Sequence, residues 1–174
     1  MIIYVLRHGQ TNYNLEGKFQ GQVDVPLNAL GIAQAKEVGK SLFNVQFNLV
    51  FSSPLTRALQ TARYATNQNI IEDNRIIERS FGLLEGKKSI NDYEEKTEQY
   101  HIESIEVLRK RVHDFMDELL KKYSTLSNIL IVTHACVATM IESYMNNIDY
   151  RDLEKNFKIK NGEYKKYNVE RKIK

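Results

Sequence analysis

The amino-acid sequence predicts an α/β sandwich built on a mainly parallel sheet, and three observations carry that expectation. Short, continuous apolar runs alternate with longer segments of helical periodicity, in the order strand, helix, strand, helix, strand, helix, strand, helix. No repeat, low-complexity tract or Pro/Gly-rich linker interrupts the alternation. At 174 residues the chain has the length of one domain, 1–174, and can bury roughly 70% of its unfolded surface without a disulfide or metal staple.

Each element has its own signature. "MIIYVL" is an unbroken apolar run, as a central strand covered on both faces requires. "NALGIAQAKEVGKSLF" reads as a helix with Asn28 as N-cap and Ile32, Ala35, Val38 and Leu42 near helical spacing. "FNLVFSS" is a second strand. "SPLTRALQTARYAT" is a helix with Ser53 as cap and Pro54 in the first turn, where a missing N–H costs nothing. "NII" is a short third strand, and residues 79–103 form a less regular segment expected to cover one sheet edge. "SIEVLRKRVHDFMDELLKKY" is a long amphipathic helix that turns Ile105, Leu108, Val112, Phe115 and Leu119 inward. "NILIVT" is another buried strand with the helix "ACVATMIESYM" behind it, and "FKIKNGEYKKYNV" sets an Asn-Gly turn between residues of strand character.

Bulk properties exclude several classes. The single cysteine, Cys136, rules out an internal disulfide and a cysteine-rich zinc site, and a small buried helix residue is its simplest role beside that of a reactive thiol. The apolar opening is too short for a signal peptide and no run approaches the ~20 residues of a membrane span, so a soluble, cytoplasmic protein with no membrane partner is expected. Net charge is +3, yet residues 155–174 hold eight Lys or Arg against two Glu, leaving 17 basic against 20 acidic elsewhere. A solvated strand and terminus account for that basic end without a nucleic-acid partner.

The chemistry gathers at strand ends. In open α/β sheets ligands bind beyond the carboxyl ends of the strands, often against helix N-termini. "RHG" follows the first strand, "SSPLTR" the second and "THA" the run "NILIV", so Arg7, His8, Arg57 and His134 should converge. Two guanidiniums and two imidazoles repel one another unless they receive a strongly anionic ligand, and a phosphate monoester dianion fits. His101 and His113 lack that placement; His113 reads as an ordinary helix-surface residue and His101 stays unassigned.

Five segments in register resemble the histidine phosphatase superfamily, the phosphoglycerate mutase-like proteins: "RHGQTNYN", "FQGQVDVPLNALGIAQA", "SSPLTRALQTA", "ERSFGLLEG" and "VTHACV". The resemblance implies a three-layer α/β sandwich, with helices on both faces of a mixed, mostly parallel sheet. It implies that His8 is the nucleophile, that Arg7, Arg57 and His134 form the phosphate pocket, and that Asn14 and the Ala135 backbone N–H support it. Glu78 takes the place of the proton donor, and Gln20 and Gly21 that of a substrate contact. Where many relatives have two glycines after the second histidine, Ala135 and Cys136 stand here.

Elementary chemistry agrees with these residue types. A neutral imidazole is nucleophilic near pH 7, provided an acceptor such as a backbone carbonyl fixes the proton on its other nitrogen. Fixed cations stabilise the phosphoryl oxygens, so neither a cofactor nor a metal is required. An alkoxide leaves badly, so Glu78 must carry a proton when the ester binds, unless it is only a partner of Arg75 or Arg79. The segment after "LLEG" is short, whereas members of the resembled family that act as true mutases are longer there, so the resemblance implies water as acceptor. The expectation is a metal-independent phosphomonoesterase for a small phosphorylated metabolite, monomeric or homodimeric. Alternatives are a cofactor-dependent phosphoglycerate mutase, a phosphohistidine protein phosphatase, or an inactive phospho-ligand-binding protein.

Overall fold

A computed structural model describes residues 1–170; the last four residues of the basic segment lie outside it. The strands β1 Ile2–Arg7, β2 Leu49–Ser52, β3 Ile70–Glu72, β4 Asn128–Thr133 and β5 Tyr164–Asn168 form one sheet in the order β3-β2-β4-β1-β5. Strands β1 to β4 are parallel, and β5 joins antiparallel with Ile2 opposite Asn168 and Leu6 opposite Tyr164. The sheet is therefore mixed and mostly parallel.

Alternation along the strands makes the three layers. Ile3, Val5, Ile129 and Ile131 pack on one face beneath α5 (Ile105–Lys122) and α6 (Ala135–Asn146). Tyr4, Leu6, Leu130 and Val132 pack on the other beneath α2 (Ala29–Ser41) and α3 (Thr56–Ala65). Ile105, Leu108, Val112, Phe115 and Leu119 are all buried, joined by Met116. Asn28 caps α2 by accepting from Gly31 N–H at 2.9 Å, and Ser104 caps α5 by accepting from Val107 N–H at 3.3 Å.

Four expectations need correction. Helix α3 begins at Thr56, not at Ser53–Pro54, because Ser53 is committed elsewhere. The capping is supplied from another loop, where Asp24 accepts from Thr56 N–H at 2.7 Å and from its hydroxyl at 2.6 Å. Phe157–Lys160 form no strand; after the Asn161–Gly162 turn, where Gly162 has φ +72°, only the second arm pairs, and it pairs with β1. Segment 79–103 packs not on a sheet edge but around Phe19, Phe81, Leu84 and Ile102, against the half-buried Cys136. His113 is half-buried edge-on against Tyr144, with centroids 4.9 Å apart, rather than lying on the helix surface.

Three short helices had no sequence expectation. In α1 (Asn12–Glu16) Thr11 and Asn14 satisfy each other's backbone N–H in a capping box, in α7 (Tyr150–Glu154) Asp149 is the cap, and α4 (Thr97–Tyr100) lies in the covering segment. Among the described residues, no helix is long and apolar enough to cross a membrane.

Candidate active site

Three parallel strands deliver the expected residues to one end of the sheet. Arg7 closes β1 and His8 follows it; Arg57 lies in the first turn of α3, beyond β2; His134 follows β4 and precedes α6. The rings of His8 and His134 have centroids 5.1 Å apart. His8 is 2%, Arg57 0%, His134 0% and Glu78 7% exposed, so the cluster is buried.

The loop after His8 is tightly held. Gly9 N–H donates to Thr61 Oγ1 at 3.0 Å, and Gln10 N–H donates to Gln34 Oε1 at 2.8 Å. This loop presents the Gly9 carbonyl to His8 Nδ1 at 2.7 Å. A carbonyl only accepts, so the imidazole proton sits on Nδ1 and the Nε2 lone pair is free.

Electrostatics keep that lone pair available. Burial first, then the cations Arg57 and Arg7, hold His8 well below the usual imidazole range, against a smaller opposing effect of the Gly9 carbonyl. Burial, Arg57, His8, Arg7 and Arg111 do the same to His134. The repulsion expected among four cations is thereby reduced to that between two guanidiniums. Burial lowers both arginines while Glu78 raises both, so the carboxylate and the two cations feel one another.

Each guanidinium is fixed by backbone. Arg57 Nη1 and Nη2 donate to Val23 O at 2.8 Å and Gly21 O at 2.7 Å, and Arg7 Nη1 donates to Ile159 O at 2.9 Å. Among the described residues, Arg7 Nε, Arg57 Nε and His134 Nδ1 are buried without a hydrogen-bond partner. Such buried polar atoms are rare, and three from three different strand ends suit an anion. Ser53 Oγ accepts from Leu55 N–H at 3.4 Å and lies 2.7 Å from His134 Nε2. A hydroxyl that donates to Nε2 leaves the His134 proton on Nδ1.

The remaining expected residues divide. Glu78 Oε1 accepts from Arg79 N–H at 2.9 Å and Oε2 from Cys136 N–H at 3.4 Å, in the first turn of α6 that Ala135 opens. Its carboxylate pairs with neither Arg75 nor Arg79: Arg75 takes Asp73 and Glu118, and Arg79 takes Glu94. Asn14 Oδ1 is used by the α1 cap and by Asn161, and Gln20 Oε1 accepts from Thr11 Oγ1 at 2.8 Å. Gly21, at φ +52°, contributes the carbonyl that orients Arg57; its added Cβ would meet Glu85 Oε1 at 2.0 Å. Asn14, Gln20 and Gly21 thus have supporting hydrogen bonds in place. Cys136 is half-buried, and burial pushes its thiol up, away from the reactive thiolate.

Sequence reasoning missed several supports. Thr61 stands one turn beyond Arg57 on the same face of α3, a spacing that would have placed it beside the site. Arg111 donates to Arg75 O at 2.8 Å, Ile77 O at 2.7 Å and Glu78 O at 3.2 Å while paired with Glu103, so it fixes the backbone that carries Glu78. Nothing local in α5 marks that contact, since 33 positions separate Arg111 from Glu78.

Comparison with known proteins shows the family and the fold. The family model described as the histidine phosphatase superfamily (branch 1) matches residues 3–172. The "Uncharacterized phosphatase PhoE" of Bacillus subtilis (strain 168) is 33% identical over 76% of this chain and 70% of its own. The "2,3-bisphosphoglycerate-dependent phosphoglycerate mutase 2" of Gloeobacter violaceus is 28% identical over 88% of this chain and 80% of its own. The crystal structure of the alpha-ribazole phosphatase from Shigella flexneri superposes with a TM-score of 0.87 at 25% identity, over 98% of this chain and 91% of that one.

Proposed function

The chain belongs to the histidine phosphatase superfamily, and from that premise we propose that it hydrolyses a small phosphorylated metabolite through a phosphohistidine on His8, without a metal ion. One observation carries the reading: His8, with its proton pinned on Nδ1 by Gly9 O, shares a buried cluster with three unpartnered nitrogen atoms of Arg7, Arg57 and His134.

In the first half-reaction His8 Nε2 attacks phosphorus in line, the ester P–O bond breaks, and Glu78 gives its proton to the departing alkoxide. Arg7 and Arg57 neutralise the phosphoryl oxygens, and His134 donates from Nδ1. In the second, water attacks the phosphoryl group, its proton passes to Glu78, and the P–N bond breaks to release phosphate. The fixed guanidiniums occupy the role a divalent cation fills in other phosphoryl-transfer sites.

Phosphate release over a panel of metabolites, in excess chelator, compares the wild type with His8→Ala. Activity that survives chelation and disappears with His8 is expected; activity abolished by chelator, or undiminished in His8→Ala, overturns the proposal. The Gloeobacter relative favours a second reading, the mutase. Supplying 3-phosphoglycerate with 2,3-bisphosphoglycerate separates the two, since a mutase forms 2-phosphoglycerate faster than free phosphate.

A further inference from the structure

A cavity of about 300 Å³ opens beside the phosphate cluster and shares Arg7 and Ala135 with it. Its other walls include Tyr93 of the covering segment, Tyr150 and Glu154 of α7, and Phe157. Arg7 and Ala135 therefore border both the phosphate cluster and this cavity.

The charge on its far side is unbalanced. Glu94 and Glu154 lie close enough to interact directly, and one guanidinium serves both. Arg79 is fully buried and already spent on Glu94, through Nη1 and through Nη2 at 3.0 Å, and on Glu103 O at 2.8 Å. Among the described residues Glu154 accepts from the Tyr93 hydroxyl at 3.2 Å and its carboxyl contacts that of Glu94, but it forms no ion pair. The cavity's second cation, Lys158, is exposed and forms no ion pair with Glu154 among the described residues. Burial and then the like charge of Glu94 push the Glu154 carboxyl above its usual range, as expected of a carboxylate short of a counter-charge.

We propose that this cavity is the leaving-group subsite and selects phosphate monoesters that carry a protonated amine, with Glu154 as the counter-ion and the Tyr93, Tyr150 and Phe157 rings as walls. The inference rests on the phosphatase reading of the neighbouring His8 cluster. An ammonium group supplies Glu154 with the charge-assisted hydrogen bond it lacks and meets aromatic faces that favour cations. A carboxylate-bearing leaving group would meet Glu154 instead. Glu154 and Tyr93 then determine specificity without touching phosphorus.

The test measures kcat/KM for short ω-aminoalkyl phosphates against uncharged alkyl phosphates of matched length, with p-nitrophenyl phosphate as reference. The wild type should favour the amine member of the best pair roughly ten- to a hundredfold. Glu154→Gln should erase that preference, read as the ratio of kcat/KM within each matched pair, and Glu154→Lys should reverse it toward carboxylate-bearing esters. Equal rates across every pair, or a preference that survives in both variants, overturn the subsite while leaving the phosphatase reading standing. Absence of His8-dependent hydrolysis of the reference ester brings down both.

Discussion

Replacing Gly9 by Ala tests how the fold aims its nucleophile. A Cβ there would lie 2.4 Å from Gly31 O, 2.9 Å from Gly31 C and 3.0 Å from Gly31 Cα, all backbone atoms of the first turn of α2. Because no side chain can swing away, the loop or the helix must move about 0.6 Å to restore a 3.0 Å contact. That displacement is enough to stretch the 2.7 Å bond between His8 Nδ1 and Gly9 O to the edge of hydrogen-bonding range, about 3.2 Å. Stability should fall by about 1–3 kcal/mol, as overpacking does. A misplacement of 1 Å costs about a hundredfold in rate, so kcat on p-nitrophenyl phosphate should fall roughly ten- to a hundredfold. KM should change little, because Arg7 and Arg57 are anchored to other carbonyls. Gly17→Ala is the control: at φ +65° with nothing within 4 Å of its Cβ, it strains the backbone but touches no part of the site. Urea unfolding and steady-state kinetics on both variants read the result. A Gly9→Ala enzyme with wild-type kcat would refute the idea that the packing of α2 on this loop sets the His8 geometry.

Other consequences follow from the same structure. Glu78→Gln should slow alkyl phosphates far more than p-nitrophenyl phosphate, whose leaving group hardly needs a proton; equal slowing would remove Glu78 from the acid role. His8 and His134 are both held below the ordinary imidazole value of 6.5, so the unfolded chain takes up protons that the folded one refuses. Their contribution is complete above about pH 6.5 and is lost as pH falls, by up to about 1.4 kcal/mol per pH unit for each histidine. Urea midpoints across this range should decline less steeply in a His8→Gln, His134→Gln double variant, and identical slopes would contradict the assignment. Arg111→Met removes a donor from three carbonyls and the ion-pair partner of the 11% exposed Glu103 side chain, leaving Glu78 O to Gln22 and Glu103 to Ser80 N–H. It should cost about 3 kcal/mol in urea unfolding, and a loss below about 1 kcal/mol would show that this network is not structural.

The sheet was largely legible because its strands are continuous apolar runs and its long helices carry a buried stripe, patterns that burial itself imposes. The convergence of Arg7, His8, Arg57 and His134 was legible for a related reason, since parallel strands deliver their carboxyl ends to one place. What escaped were contacts with no local signature. The cap of α3 comes from Asp24, 32 positions away, so the attractive Ser53–Pro54 pair misled while Ser53 went to His134. The first arm of the Asn-Gly turn has strand-forming residues, but β1 already has β4 on one side and β5 on the other. The five-residue helices α1 and α7 are too short for periodicity to register and depend on their caps.

The central claim is that His8 takes up the phosphoryl group, and trapping that intermediate tests it most directly. After rapid quenching of turnover at neutral-to-alkaline pH, intact-mass and peptide analysis should find one acid-labile phosphoryl group, on the peptide carrying His8, and none in His8→Ala. A phosphoryl group on another residue, or labelling that persists in His8→Ala, would contradict the account.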